Sequence, residues 1–313
     1  MFRKAHFLIF ILLLMLVVVP LTAAQDGMFG LSADDFALFT SQDFSDFETI
    51  GFDFSVAFAA SGMPSDNASV SLSGSGLFGE DDSGMPVGTL TVSGAANDGS
   101  DETPINVELV IVDGFIYFNM GDGSGWIGQP LDEAMETFSS MAPLPVNPMD
   151  LASGDMSENP EAMAAFGEMM GAMSDMDPGQ FINIARLDDM SGQAHFQVNL
   201  DLATFFSSDA FTQLLGAAGT MSGEESMGEM APMVAMMLQD TSLTFDEFIS
   251  LETNRVGQAV LDFAMSINPA MMGDAEADPI NVSFNFDISN LQYDVPVNVT
   301  APEGATIMPS SSG

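Results

Sequence analysis

Cysteine is absent from the 313 residues. Disulfides, thiolate nucleophiles and thiolate metal sites are therefore excluded together. Cations are nearly absent as well, with four Lys and Arg against 45 Asp and Glu. Arg3 and Lys4 open the chain, and only Arg186 and Arg255 follow. Nothing can neutralise phosphate, so nucleic acid is excluded as a partner. A bare anionic membrane is repelled for the same reason. Histidine occurs twice. His6 falls in a leader, and His195 stands on the polar side of a strand pattern, where a surface histidine is a simpler reading than a general base. Beyond residue 24 no apolar run is long enough to span a bilayer.

What is present begins with that leader. Arg3 and Lys4 precede an apolar run from Phe7 to Val19, then Pro20 and the small residues Thr22-Ala23-Ala24. This is the pattern of a secretory signal peptide cleaved before Gln25. A retained anchor is the alternative, but the run is short for a span. The expected location is extracytoplasmic: periplasm, cell-wall space or the outside. Removing the leader takes away two cations and no acid, leaving 289 residues at a net charge of −43. Such acidity does not mean disorder, because 47% of residues are hydrophobic and 26 are Phe. The charge reads as a solvated shell around a large core, suited to high salt, divalent cations or acidic surroundings.

Period-2 alternation then recurs along the chain. "FDFSVAF" sets Phe52, Phe54, Val56 and Phe58 against Asp53, Ser55 and Ala57. Runs at 69–78 and 87–94 follow, and 105–120 reads as a hairpin turning at Asp113-Gly114. Later, Phe196, Val198, Leu200 and Leu202 alternate with polar residues. So do Leu261, Phe263, Met265 and Ile267, and again Ile280, Val282, Phe284, Phe286 and Ile288. The run 293–305, rich in Pro and Val, closes the chain on an edge, where proline is tolerated. Helical spacing appears at 159–174, where Met163, Phe166 and Met170 share a face, and at 208–218 and 223–239. A short helix fits Ala33–Phe39. The expected fold is α+β: a single large curved antiparallel β-sheet, a half-barrel of nine to eleven strands, with about three helices packed on its concave face. The expected limits are 1–24 for the leader, 25–306 for one domain and 307–313 for a loose tail.

These residues resemble a family. "VDGFIYFNMGDGSGW" (112–126) is similar to the strand, Asp-Gly, strand, Gly, Trp element of LppX/LprG-type exported lipoproteins. "FNFDISNLQYDVPVNVTAPEGA" (284–305) resembles their last two strands. Those proteins share a half-barrel fold with the LolA/LolB carriers, in which a sheet wraps an apolar cavity for acyl chains and helices act as plug or lid. The resemblance covers most of residues 50–305. It implies a binder or carrier of a hydrophobic or acylated molecule, and the alternative is a structural, sensor or interaction domain of the cell envelope with a filled core. The lipidated cysteine of that family is missing here, which implies a free form after cleavage.

The candidate cavity residues are Phe54, Val56, Phe196, Val198, Leu200, Leu261, Phe263, Met265, Val282, Phe284 and Phe286 on strands, with Met163, Phe166 and Met170 on a helix. No cofactor or catalytic group is expected. One Asp-Ser-Gly triplet, 82–84, matches the aspartic-protease element, but the dyad needs two. Asp98, Asp101 and Glu102 are the carboxylates a calcium ion would use, against the simpler reading of a solvated acidic turn. The methionines, 26 in all, read as apolar packing or adaptable ligand contact rather than soft-metal ligands. Crowded carboxylates are expected to have raised pKa values, and salt to stabilise the chain.

Overall fold

The computed structural model describes residues 28–40, 47–62, 67–81, 83–134, 178–209, 211–213, 240–268 and 278–308, with 232, 235, 236 and 238. The leader, the helix expected at 159–174 and most of that at 223–239 lie outside the described residues.

Among the described residues twelve strands form one open sheet. In chain order they are β1 (Thr49–Ser61), β2 (Ala68–Glu80), β3 (Pro86–Asn97), β4 (Glu102–Val112), β5 (Phe115–Asn119) and β6 (Ile127–Pro130). There follow β7 (Ile182–Arg186), β8 (Gln193–Leu200), β9 (Asp240–Ser250), β10 (Val256–Ile267), β11 (Ile280–Tyr293) and β12 (Thr306–Ile307). Their order across the sheet is β12-β6-β5-β4-β3-β2-β1-β11-β10-β9-β8-β7. Every pair is antiparallel except β12 with β6, which is parallel. The count exceeds the expected nine to eleven because β6, β7 and β12 are too short to show a period in sequence.

Local chemistry explains the hairpins. The β4–β5 turn puts both Asp113 (φ 54) and Gly114 (φ 74) in the left-handed region, as a two-residue type I′ turn demands. Gly74 of β2 has a different reason. A Cβ there would stand 1.9 Å from the Thr91 carbonyl oxygen and 2.7 Å from the Phe54 ring, so only glycine lets these strands and that ring close up.

The alternation sorts the sheet into two faces. One is mostly apolar, with Glu247, Arg186 and Thr241 among its polar members. The other carries Ser, Thr, Asn and Asp, and the segment after β11 crosses part of it. Val295 packs against Gly51 there, the Thr49 hydroxyl donates to the Val295 carbonyl (2.6 Å), and Thr306 N–H donates to the Trp126 carbonyl (2.9 Å). The run expected to close the chain on an edge forms no strand from 294 to 305, and the edge is taken by β12 just beyond it.

Two helices pack on the apolar face. Helix α1 (Ala33–Thr40) joins a cluster with Phe29, Leu31, Ile184, Ala194, Phe196 and Ile249. Ser32 starts it, its hydroxyl accepting from Asp35 N–H (3.1 Å). Helix α2 (Leu202–Phe206) joins Phe181, Phe211 and Leu243. The α2 segment corrects the sequence reading, which ran a strand through Leu202. Asp201 instead caps a helix by accepting from Thr204 N–H (2.9 Å) and its hydroxyl (2.8 Å). Ser208 starts the next helical turn, as the sequence suggests, its hydroxyl accepting from Phe211 N–H (3.1 Å). No helix among the described residues is long and apolar enough to cross a membrane.

Candidate functional site: the apolar face of the sheet

The eleven strand residues singled out in sequence all lie on the apolar face, in register. One rung runs Val56, Phe286, Leu261, Phe245, Val198, Ile184 across β1, β11, β10, β9, β8 and β7. The next runs Phe58, Phe284, Phe263, Leu243, Leu200, Ile182 over the same strands. A third links Ala60, Val282, Met265 and Thr241. Phe54 and Phe196 belong to the rung Phe54, Ile288, Ala259, Glu247, Phe196, Arg186. Met163, Phe166 and Met170 lie outside the described residues.

Packing against the two helix clusters splits these residues into two groups. Phe196 is fully buried, with Phe39 at 5.3 Å between ring centroids and the Arg186 guanidinium 5.1 Å over its ring. Phe196 is therefore core, held by α1. Leu200, Leu261 and Phe263 pack against the α2 cluster and Val198 against the α1 cluster. Phe54, Val56, Met265, Val282, Phe284 and Phe286 are half-buried and belong to neither cluster of the described residues.

Sequence reasoning missed Phe58, Leu243, Phe245, Ile182 and Ile184 as members of this surface. Phe58 was legible as the last member of its alternating run. The face of β9 was not, because "TFDEFI" places Phe248 out of phase with Leu243 and Phe245. The register resolves it: Glu247, 7% exposed, is on the apolar face, and Phe248 is on the polar one. Near Glu247 the Tyr293 hydroxyl donates to the Val256 carbonyl (2.9 Å), and the Arg255 guanidinium sits 4.9 Å over the Tyr293 ring. Burial, aided by the Glu247 charge and opposed by Arg255, raises the Tyr293 pKa.

The polar face shows how so acidic a chain holds together almost without cations. Amides take the place of Lys and Arg. Asn285 donates to Asp262 (2.7 Å), Asn290 to Asp53 (2.6 Å), Asn119 to Glu108 (3.1 Å), Gln197 to Asp246 (3.1 Å) and Gln258 to Asp287 (3.1 Å). His195 is on this face, as its strand position suggested. It stacks on Phe248 (4.2 Å, 16°), with its Nε2 2.6 Å from Asp246. Two adjoining open hollows of about 370 and 420 Å³ lie over the small side chains Ala57, Ala59, Ser69, Ser71, Ser242, Ala264 and Ser283. They open on the polar face, opposite the candidate residues, although Phe263, Met265, Val282 and Phe284 contribute to their floors.

The acidic turns correct the expected direction of the carboxylate shifts. Asp98, Asp101 and Glu102 do not converge, and among the described residues no group of three or more His, Asp or Glu is placed for a metal. The Asp98 Oδ1 is instead spent on its own turn, accepting from Asp101 N–H (3.0 Å), Ser100 N–H (3.0 Å) and the Ser100 hydroxyl (2.8 Å). Crowding was expected to raise carboxylate pKa values. The resolved shifts go the other way: the Asp101 and Ser100 hydrogen bonds hold Asp98 at about 2. Ser83 lowers Asp81, Ser124 lowers Asp122, Thr204 lowers Asp201 and Arg255 lowers Asp294. Hydrogen bonding to the charged form outweighs the field of the other carboxylates at these sites.

By its topology the chain is an α+β protein built on one open, curved, almost wholly antiparallel sheet with helices on its apolar face. No protein-family model matches it, and no curated protein does. Among solved structures, one of lipovitellin, described by its lipid–protein interactions, is 9% identical with a TM-score of 0.34, covering 86% of this chain and 28% of that one. LprF from Mycobacterium bovis is 14% identical with a TM-score of 0.28, covering 83% of this chain and 91% of that one. A LolA superfamily protein from Nitrosomonas europaea is 11% identical with a TM-score of 0.16, covering 80% and 89%. The last two carry names from the class the sequence resembles. At such scores the likenesses lend no weight to a function, which has to be argued from the faces of the sheet.

Proposed function

We propose that the chain is an exported, non-enzymatic binder or carrier of a hydrophobic or acylated molecule, held on the apolar face of the sheet. The carrying observation is the band of Phe54, Val56, Val282, Phe284 and Phe286, aligned in register yet outside both packed clusters of the described residues. An aligned apolar surface of this kind has a use only when something apolar covers it. The leader supports export, and the charge of the shell keeps the carrier soluble and apart from anionic lipid. One observation favours a second reading, a structural or interaction domain with a filled core: Phe181, Phe205, Phe206 and Phe211 already fill the region beside β9.

An acyl probe that fluoresces in apolar surroundings separates the two. On the binder reading the mature chain takes up the probe, and Phe284→Asp abolishes uptake while far-UV circular dichroism is unchanged. Uptake that is absent, or indifferent to Phe284→Asp, supports the filled-core domain.

A further inference from the structure

Among the described residues, methionine is distributed in a way that apolar packing does not explain. Beyond residue 24 the chain has 24 methionines, seven of them among the described residues, and of these seven one, Met265, is in a strand. Phe, Val, Leu and Ile build the apolar face instead. Six methionines have described side chains, and five of them are exposed: Met85 by 39%, Met120 by 57%, Met190 by 55%, Met236 by 51% and Met308 by 42%. They make up five of the eight exposed large hydrophobic residues, the others being Leu187, Leu251 and Ile307. Met85 is in the β2–β3 turn, Met190 is in the β7–β8 turn, Met120 follows β5 and Met308 follows β12. None of these four positions is in a strand.

We propose that these exposed methionines are a sacrificial sink for peroxide, a function separate from ligand binding. The thioether lone pair attacks one peroxide oxygen. An S–O bond forms as the O–O bond breaks, and the departing hydroxide takes a proton to leave as water. Sulfur loses two electrons and peroxide gains two, giving methionine sulfoxide. The chain has no thiol to compete for the oxidant or to carry the damage further. Position decides whether the reaction is tolerated. A sulfoxide inside a core brings an unsolvated dipole, whereas one on a turn is met by water. With the sheet nearly free of methionine, oxygen can be taken up at the periphery while the strand ladders and both Phe clusters stay intact.

The test treats the mature protein with hydrogen peroxide beside free N-acetylmethionine amide and follows each methionine by peptide mass spectrometry. The five exposed methionines should each gain about 16 Da at a rate within about three-fold of the free compound, and Met265 should be at least about ten-fold slower. The melting temperature after these five additions should be unchanged. Replacing all five by Leu keeps the apolar bulk and should remove the fast oxygen uptake at those five positions, about five oxygen atoms per chain, and lower the protection of a co-incubated peroxide-sensitive enzyme accordingly. The proposal is overturned if the five react no faster than Met265, if their oxidation collapses the fold, or if the five-Leu chain takes up as much fast oxygen as the native one.

Discussion

Phe196 and Phe284 share one face and alternate in the same way in sequence, so truncating each shows what the face is for. Phe196 is 0% exposed, packed between α1 and the sheet, with Phe39 and Arg186 against its ring. Phe196→Ala leaves a cavity that its rigid neighbours Ala194 and Ile249, both also 0% exposed, cannot fill. The cost is about 3–5 kcal/mol. The tilted ring pair supplies about 0.5–1.5 of that, and the cation–π contact about 0.5–1. At roughly 2 °C or more per kcal/mol for a domain of this size, the melting temperature falls by on the order of 10 °C. Phe284 is half-buried and outside both clusters, so Phe284→Ala gives up about 1–2 kcal/mol, part of the transfer energy of a phenyl group. It should instead weaken uptake of an acyl probe. Thermal melts by circular dichroism, paired with probe titrations, read both effects. Equal losses of stability, or a binding defect in Phe196→Ala with Phe284→Ala unaffected, would refute the division of the face into core and binding surface.

Gly74→Ala should be among the most damaging small substitutions, costing about 3 kcal/mol, because the new Cβ meets a backbone oxygen that cannot move without opening the β2–β3 ladder; a melt checks it, and a shift under 2 °C would contradict it. Asn285→Asp sets a second carboxylate against Asp262, so it should cost about 1 kcal/mol at low salt and less in 1 M NaCl, while the native melting temperature climbs with salt as self-repulsion is screened. The Asp98 pKa, depressed to about 2, contributes stability that is present above the ordinary carboxylate value of about 4 and is lost as pH falls from there through 2. Acid melts of native protein and Asp98→Asn should therefore differ above pH 4 and converge near pH 2, and a gap that persists at pH 2 would contradict the assignment.

What the sequence disclosed follows from what is periodic. Strands β1, β8, β10 and β11 were legible because Phe, Val and Ile alternate there with Ser, Asn and Asp, and one face had to be apolar throughout. The β4–β5 turn was legible because few residue pairs accept two positive φ values. The phase of β9 was hidden, since Glu247 inside and Phe248 outside are fixed by neighbours far along the chain, Phe196 and His195. Helix α2 was hidden because Leu202 continues the alternation of β8, and only the Asp201–Thr204 cap breaks it. The strand order, with β11 between β1 and β10, is set by pairings more than 200 residues apart that no local pattern records.

The central claim is that the band around Phe284 carries an apolar molecule in the cell. Native mass spectrometry of the mature protein, purified from its own host without detergent, tests it most directly. The account predicts a species heavier than the bare chain by the mass of a lipid or acylated molecule, lost on organic extraction and absent from Phe284→Asp. A bare chain in every preparation, or an adduct that Phe284→Asp keeps, would contradict it.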